Sequence, residues 1–236
     1  MAEHLLKRFD EELNKLRYRL VKMGTLVQQQ IEFAVNSLIE NNIEQAKLVI
    51  DVEKKVNKLD IKIDKQCLRI FALHQPVAMD LRLVLSAVSI NDDMELIGDL
   101  ATNIAQNVIE MNIPPGLVER TKMKEMGVLI NLIAAMLMDS YINMNNELAM
   151  EVIKKDLEAD KLFKENFSIL TTLMKSDNNL IEICSYLIDI NRNIHSISRQ
   201  IRSVAQELVF LFEAKMIKHQ SVEDIFSVEP EGHFEK

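Results

Sequence analysis

Apolar residues recur every three to four positions along nearly the whole chain, and that spacing predicts long amphipathic helices. A first helix is expected over about Leu5 to Glu40, with Leu13, Leu16, Leu20, Met23, Val27, Ile31, Ala34, Val35 and Leu38 on its apolar stripe. A second runs from about Ile43 to Leu73 through Ala46, Val49, Ile50, Val56, Leu59, Ile63, Leu68 and Ile70. His74-Gln75-Pro76 interrupts it, with Pro76 placed to open a third helix over Val77 to Met111. Pro114-Pro115-Gly116 then ends the run.

Beyond that linker the pattern begins again. Met23-Gly24 recurs as Met126-Gly127, 103 positions on, and Ser37, Asn42, Ala46, Val49-Ile50 and Leu59 recur at the same offset as Ser140, Asn145, Ala149, Val152-Ile153 and Leu162. In the third helix the offset becomes 100: Ile90-Asn91 recurs as Ile190-Asn191, Ile97 as Ile197, and Ala105-Gln106 as Ala205-Gln206. The change falls between Leu73 and Pro76, and near Lys175 to Asn179, where a loop absorbs a length difference. Two constant offsets that switch at an expected loop mark a duplication. The expected fold is therefore all-α: two tandem antiparallel three-helix bundles, residues 1–113 and 117–218, related by an internal pseudo-twofold. Each helix should hold roughly 28–40 residues and reach about 40–60 Å. A tail over 219–236, acidic and carrying Pro230 and Gly232, is expected to fray.

Composition agrees. The chain is 48% hydrophobic but only 5% aromatic, with no Trp, so the core is aliphatic. Five Gly and four Pro leave little room for hairpins. The net charge of −8 argues against nucleic-acid binding, which draws its affinity from basic groups. Cys67 and Cys184 stand alone, as buried thiols in a reducing compartment. The first residues turn charged at once, and no uncharged run approaches a membrane span. A cytoplasmic protein that meets membranes only through partners is expected.

The chemistry lies in carboxylates. Glu95 and Asp99, in Asp92-Asp93-Met94-Glu95-Leu96-Ile97-Gly98-Asp99, are four apart and share a helix face. Glu53 and Asn57 form a matching pair on the second helix, and the offset of 103 carries them to Asp156 and Asp160. Oxygen donors from adjacent helices suit hard cations, although any one acidic pair is ordinarily a solvated face. In the second copy His195 and Arg199 stand where Glu95 and Asp99 would be. His195 can still ligate, whereas Arg199 repels a metal. Gly98 allows the close approach of a neighbouring helix or a ligand. There is no Glu-x-x-His pair of the ferritin-like kind, no phosphate-binding Gly-rich loop and no nucleophile–base arrangement.

The strings Leu73-His74-Gln75-Pro76-Val77-Ala78-Met79-Asp80-Leu81-Arg82 and Glu95-Leu96-Ile97-Gly98-Asp99-Leu100-Ala101-Thr102-Asn103-Ile104-Ala105 resemble the PhoU family of phosphate-uptake regulators, over about Leu5 to Gln220. The resemblance implies metal binding, iron or zinc, through acidic motifs on the second and third helices of each repeat. Here those are Glu53 with Asn57, Glu95 with Asp99, and Asp156 with Asp160, with His195 a further possible ligand and the last motif lost at His195 to Arg199. It implies a non-enzymatic, often dimeric regulator that restrains a phosphate ABC transporter and the sensor kinase of the phosphate two-component system. A metal-dependent enzyme and a purely structural helical adaptor are the other readings. Arg82 is a docking candidate by resemblance, and beside Asp80 it is read as a local ion pair.

Overall fold

A computed structural model describes residues 2–111, 113–218, 220 and 222–227, with the side chains of all but 2–6, 223 and 227. Among them the regular structure is helical: α1 (Ala2–Ile39), α2 (Ile43–His74), α3 (Ala78–Glu110), α4 (Met123–Asn143), α5 (Asn146–Ser176), α6 (Ile181–Glu213) and the short α7 (Val222–Ser227). α1 to α3 pack on one another, as do α4 to α6, and the two sets join through α1 on α4 and α3 on α6. The buried apolar residues of both sets form one continuous cluster. The repeats are therefore halves of one core rather than separate bodies.

The recurrences noted in the sequence have physical causes. The side chain of Asn42 caps α2, accepting from the amides of Glu44 at 3.1 Å and Gln45 at 3.2 Å. Asn145 caps α5 by accepting from the Leu148 amide at 3.0 Å. The Asn42 and Asn145 amides donate to the carbonyls of Ser37 and Ser140, each at 2.9 Å. Gly24 and Gly127 mark the crossing of α1 and α4. A Cβ on Gly127 would lie 2.5 Å from Val35 Cγ1, and one on Gly24 would fall on the sulfur of Met138. Val35 and Met138 are themselves 103 apart. These are one contact seen twice across the pseudo-twofold.

Some details differ from the sequence expectation. α4 has 21 residues where α1 has 38, because the positions equivalent to the first half of α1 fall in α3 and the linker, where Leu117 and Val118 are buried. Leu68, expected in the core, is 68% exposed. Part of the tail expected to fray, Val222–Ser227, is instead α7, whose Val222 and Ile225 are buried and which packs on α5. Residues 228–236 lie outside the described residues. Arg82 makes no ion pair with Asp80, and its Nε is buried without a hydrogen-bond partner among the described residues. α4 is long and apolar enough to cross a membrane, but half of that span is buried between α1, α5 and α6, as a core helix requires. Both cysteines are free and buried, and burial pushes the Cys67 thiol up to about 12.

Candidate metal-binding face

The α2–α3 pair carries an acidic stripe, interrupted on α2 by the neutral Asn57. Glu53, Asn57, Asp60 and Asp64 are spaced by four, three and four on α2, which aligns them on one face. Asp99, Glu95 and Asp92 run antiparallel to them on α3. Glu53 lies level with Asp99, and the carboxylates of Asp60, Asp64 and Asp92 each place an oxygen within 4.8 Å of the others. Among the described residues no Lys, Arg or His pairs with any of these six carboxylates.

The inner end is built around Glu53, which is 8% exposed. Its Oε2 accepts from Gln30 Nε2 at 2.7 Å and from Thr102 Oγ1 at 3.5 Å, while Oε1 is buried with no hydrogen-bond partner among the described residues. Gly98 makes this seat possible, since a Cβ there would stand 2.9 Å from both Glu53 Oε2 and Gln30 Oε1. The close approach expected at this glycine is thus that of a neighbouring carboxylate. At the outer end Asn91 Nδ2 donates to Asp60 Oδ1 at 2.5 Å and Asp64 Oδ1 at 3.2 Å.

The carboxyls carry the electrostatic cost of this crowding. Burial raises the pKa of Glu53, against the Gln30 hydrogen bond, and the Asp99 charge adds to the rise. Glu95 is raised by burial and then by Asp99, Asp60, Glu53 and Asp92. Asp60 and Asp92 are each raised by burial and by Asp64. An orphaned buried carboxylate oxygen and an uncompensated all-oxygen donor set fit a hard cation. Asp60, Asp64 and Asp92, whose oxygens converge, would hold such an ion at the outer end, and Glu53, Glu95 and Asp99 would hold a separate one at the inner end, the stripe's length of about 16 Å being too far for one ion to span; the charge these ions supply is what the stripe lacks.

The second repeat resolves the same geometry differently. Asp156, the counterpart of Glu53, is 1% exposed and accepts from Ser198 Oγ at 2.7 Å and Arg202 Nη1 at 2.8 Å. Ser198 and Arg202 stand where the first repeat has Gly98 and Thr102. The shorter carboxylate makes room for the serine, and the arginine brings the positive charge. Asp160 meets His195 Nε2, whose ring stacks on Phe163 at 4.3 Å. Asp60, Asp64 and Asp92 have become Phe163, Phe167 and Arg192. Asp156 and Asp160 are thus engaged by cationic or imidazole groups of this chain. Arg199 lines a cavity between α5, α6 and the stretch leading to α7. Asn191 keeps the structural half of Asn91's role, donating to the Phe163 carbonyl at 3.0 Å as Asn91 donates to that of Asp60 at 3.4 Å.

The structure brings Glu53, Asn57, Glu95 and Asp99 to one face, as the spacing predicts, and leaves Asp156, Asp160 and His195 in the other repeat. Sequence reasoning missed Asp60, Asp64 and Asp92. Their signal was the continued spacing along α2, but a search for residues shared by both repeats discards positions that are phenylalanine or arginine in the second.

A family model described as the PhoU domain matches the chain twice, over residues 20–108 and 123–208. A phosphate-specific transport system accessory protein PhoU homolog from Pseudomonas aeruginosa is 29% identical over 223 residues, covering 93% of this chain and 91% of that one. Its Aquifex aeolicus counterpart is 30% identical over 214 residues, covering 91% and 97%. The crystal structure of PhoU from Pseudomonas aeruginosa superposes with a TM-score of 0.82 at 30% identity, over 88% of this chain and all (100%) of that one. The phosphate transport system regulatory protein PhoU from Streptococcus pneumoniae, at 24% identity and a TM-score of 0.79, shares the fold.

Proposed function

The chain belongs to the PhoU family, and from that membership we propose that it is a non-enzymatic accessory regulator of a phosphate transport system. It restrains uptake by docking on the ATPase of a phosphate ABC transporter and on the cytoplasmic part of the phosphate sensor kinase. It works in the cytoplasm, as a homodimer, and reaches the membrane through those partners. The observation that supports this reading is the double PhoU domain, which spans both repeats. Pull-down of the full chain against the two partners' cytoplasmic domains tests it. Retention of both is expected. Retention of neither, together with unchanged phosphate-regulated expression in a deletion strain, overturns it.

A cation on the first-repeat stripe is part of the reading. It ties α2 to α3 by neutralising carboxylates that otherwise repel one another. The oxygen-only donor set favours ferric iron, calcium or manganese over zinc, which draws on nitrogen and sulfur donors. The second repeat needs no such ion, because Arg202 already occupies the electrostatic place of one.

A further inference from the structure

α6 inverts the charge that α3 carries at the equivalent positions. Asp92, Glu95, Asp99 and Thr102 of the first repeat are Arg192, His195, Arg199 and Arg202 in the second. Steps of three, four and three keep these four on one side of the helix. On α5 the matching stripe retains two carboxylates, Asp156 and Asp160, where α2 has three. A face of six carboxylates in the first repeat thus corresponds to two carboxylates, three arginines and a histidine in the second.

Part of this positive charge is spent within the chain. Arg192 pairs with the exposed Asp189 at 3.6 Å, and His195 meets Asp160. Arg202 gives Nη1 to the buried Asp156, and its other guanidinium nitrogens make no hydrogen bond among the described residues. Arg199 is exposed and forms no ion pair among them. Arg199 and Arg202 open into a cavity of about 620 Å³ between α5, α6 and the stretch leading to α7. Lys218 enters it from that stretch, half-exposed and held loosely by Glu207 at 3.4 Å. Leu157 and Val222 give it an apolar wall. Asp160 is the one carboxylate among its described lining residues, and His195 already engages it. The size falls within the range of small-molecule sites, roughly 300–1,000 Å³.

We propose that this cavity binds a phosphoryl group, either free phosphate or one carried on a small molecule, with Arg199 as its main anchor and Arg202 and Lys218 beside it. A guanidinium presents a forked pair of donors that matches two phosphate oxygens, and a lysine adds a point charge. Arg199 has its full set of donors to give, since no carboxylate of this chain takes them. The same helix face that suits a cation in the first repeat suits an anion in the second.

Calorimetric titration of the full chain with inorganic phosphate, tripolyphosphate and ATP tests the proposal, with chloride holding the ionic strength constant. Chelator is present throughout, so that no cation on the first repeat can carry the anion. Saturable binding of one equivalent of at least one of the three is expected. A tightest fit for phosphate assigns the free anion, and a gain of about tenfold for tripolyphosphate or ATP assigns a larger carrier; either supports the site. Arg199→Gln is the discriminating variant. Its side chain is exposed and unpaired, so the ligand-free protein keeps its melting temperature, while binding weakens by about tenfold or more, as the loss of charge-assisted hydrogen bonds implies. Arg199→Lys recovers part of the affinity, because the charge returns without the fork. Absence of saturable binding for all three ligands overturns the proposal. So does binding untouched by Arg199→Gln, or binding that is lost with Glu95→Ala and Asp99→Ala, which would place the anion on the first repeat. None of these results bears on partner docking, which the pull-down tests separately.

Discussion

Arg202→Ala tests whether the second repeat carries its own cation. Asp156 is 1% exposed, and its oxygens are held by Ser198 at 2.7 Å and Arg202 at 2.8 Å. Removing one member of a buried ion pair costs about 3–5 kcal/mol, because the remaining charge stays in a poor solvent. Two features reduce that here. Ser198 still satisfies one oxygen, and the Arg202 side chain is 23% exposed, so water screens part of the pair. A loss of about 2–3 kcal/mol follows. For a chain of this length each kcal/mol shifts the midpoint by about 2–4 °C. Thermal unfolding followed by circular dichroism should therefore show a drop of roughly 5–10 °C. Asp156→Asn combined with Arg202→Ala removes both charges, so the double variant should recover part of the loss, and the coupling is read from the full cycle. A drop within about 1 °C of zero, or a double variant no more stable than Arg202→Ala alone, would refute the claim that this arginine compensates Asp156.

The pseudo-twofold contact predicts an asymmetric pair of variants. Gly127→Ala drives a Cβ into the stiff, β-branched Val35 and should cost about 1–3 kcal/mol in urea unfolding, whereas Gly24→Ala meets the flexible end of Met138 and should cost less; equal costs would contradict the packing described. The raised carboxyls predict a pH dependence in the metal-free protein. Glu53 and Glu95 lie above the ordinary 4.5, and Asp60 and Asp92 above 3.8. Groups shifted this way contribute stability that is full below the unfolded pKa and lost as pH rises through the folded value. The melting temperature in chelator should therefore fall as pH climbs from about 4 toward neutrality, as far as these groups govern it. Glu53→Gln should gain on the wild type across that window and match it at the acid end, and a constant difference at all pH values would count against the mechanism.

Much of the fold was legible in the chain because its signals are periodic and local. The apolar spacing located α1, α2 and α3, and the recurrence of Asn42 as Asn145 reflects two helix caps built alike. Recurring Met-Gly pairs reflect one helix crossing seen from both sides. Leu68 and α4 departed from expectation for different reasons. Leu68 falls off the stripe that buries Ile63, Cys67 and Ile70, on the outer side of α2 beside a groove between α2, α3 and α6, so its apolar character did not mean burial. α4 is short because the positions equivalent to the first half of α1 belong to α3 and the linker. The site was legible where it repeats and obscure where it does not. Glu53, Glu95 and Asp99 stood out, whereas Asp60, Asp64 and Asp92 belong to one repeat alone. The role of Arg202 was hidden because its counterpart, Thr102, has no charge to compare. Arg202 reaches Asp156 across 46 positions of sequence, a pairing that only the packing of α5 on α6 creates.

The central claim is that the two repeats handle their carboxylates differently, one with an external cation and one with Arg202 and His195. Metal content after equilibrium dialysis of the full chain against ferric iron, calcium or manganese tests it most directly. The wild type should retain metal. Glu95→Ala with Asp99→Ala should lose most of it, and Asp156→Asn with Asp160→Asn should retain it in full. Metal content that follows the second-repeat residues, or that is indifferent to Glu95 and Asp99, would contradict the account.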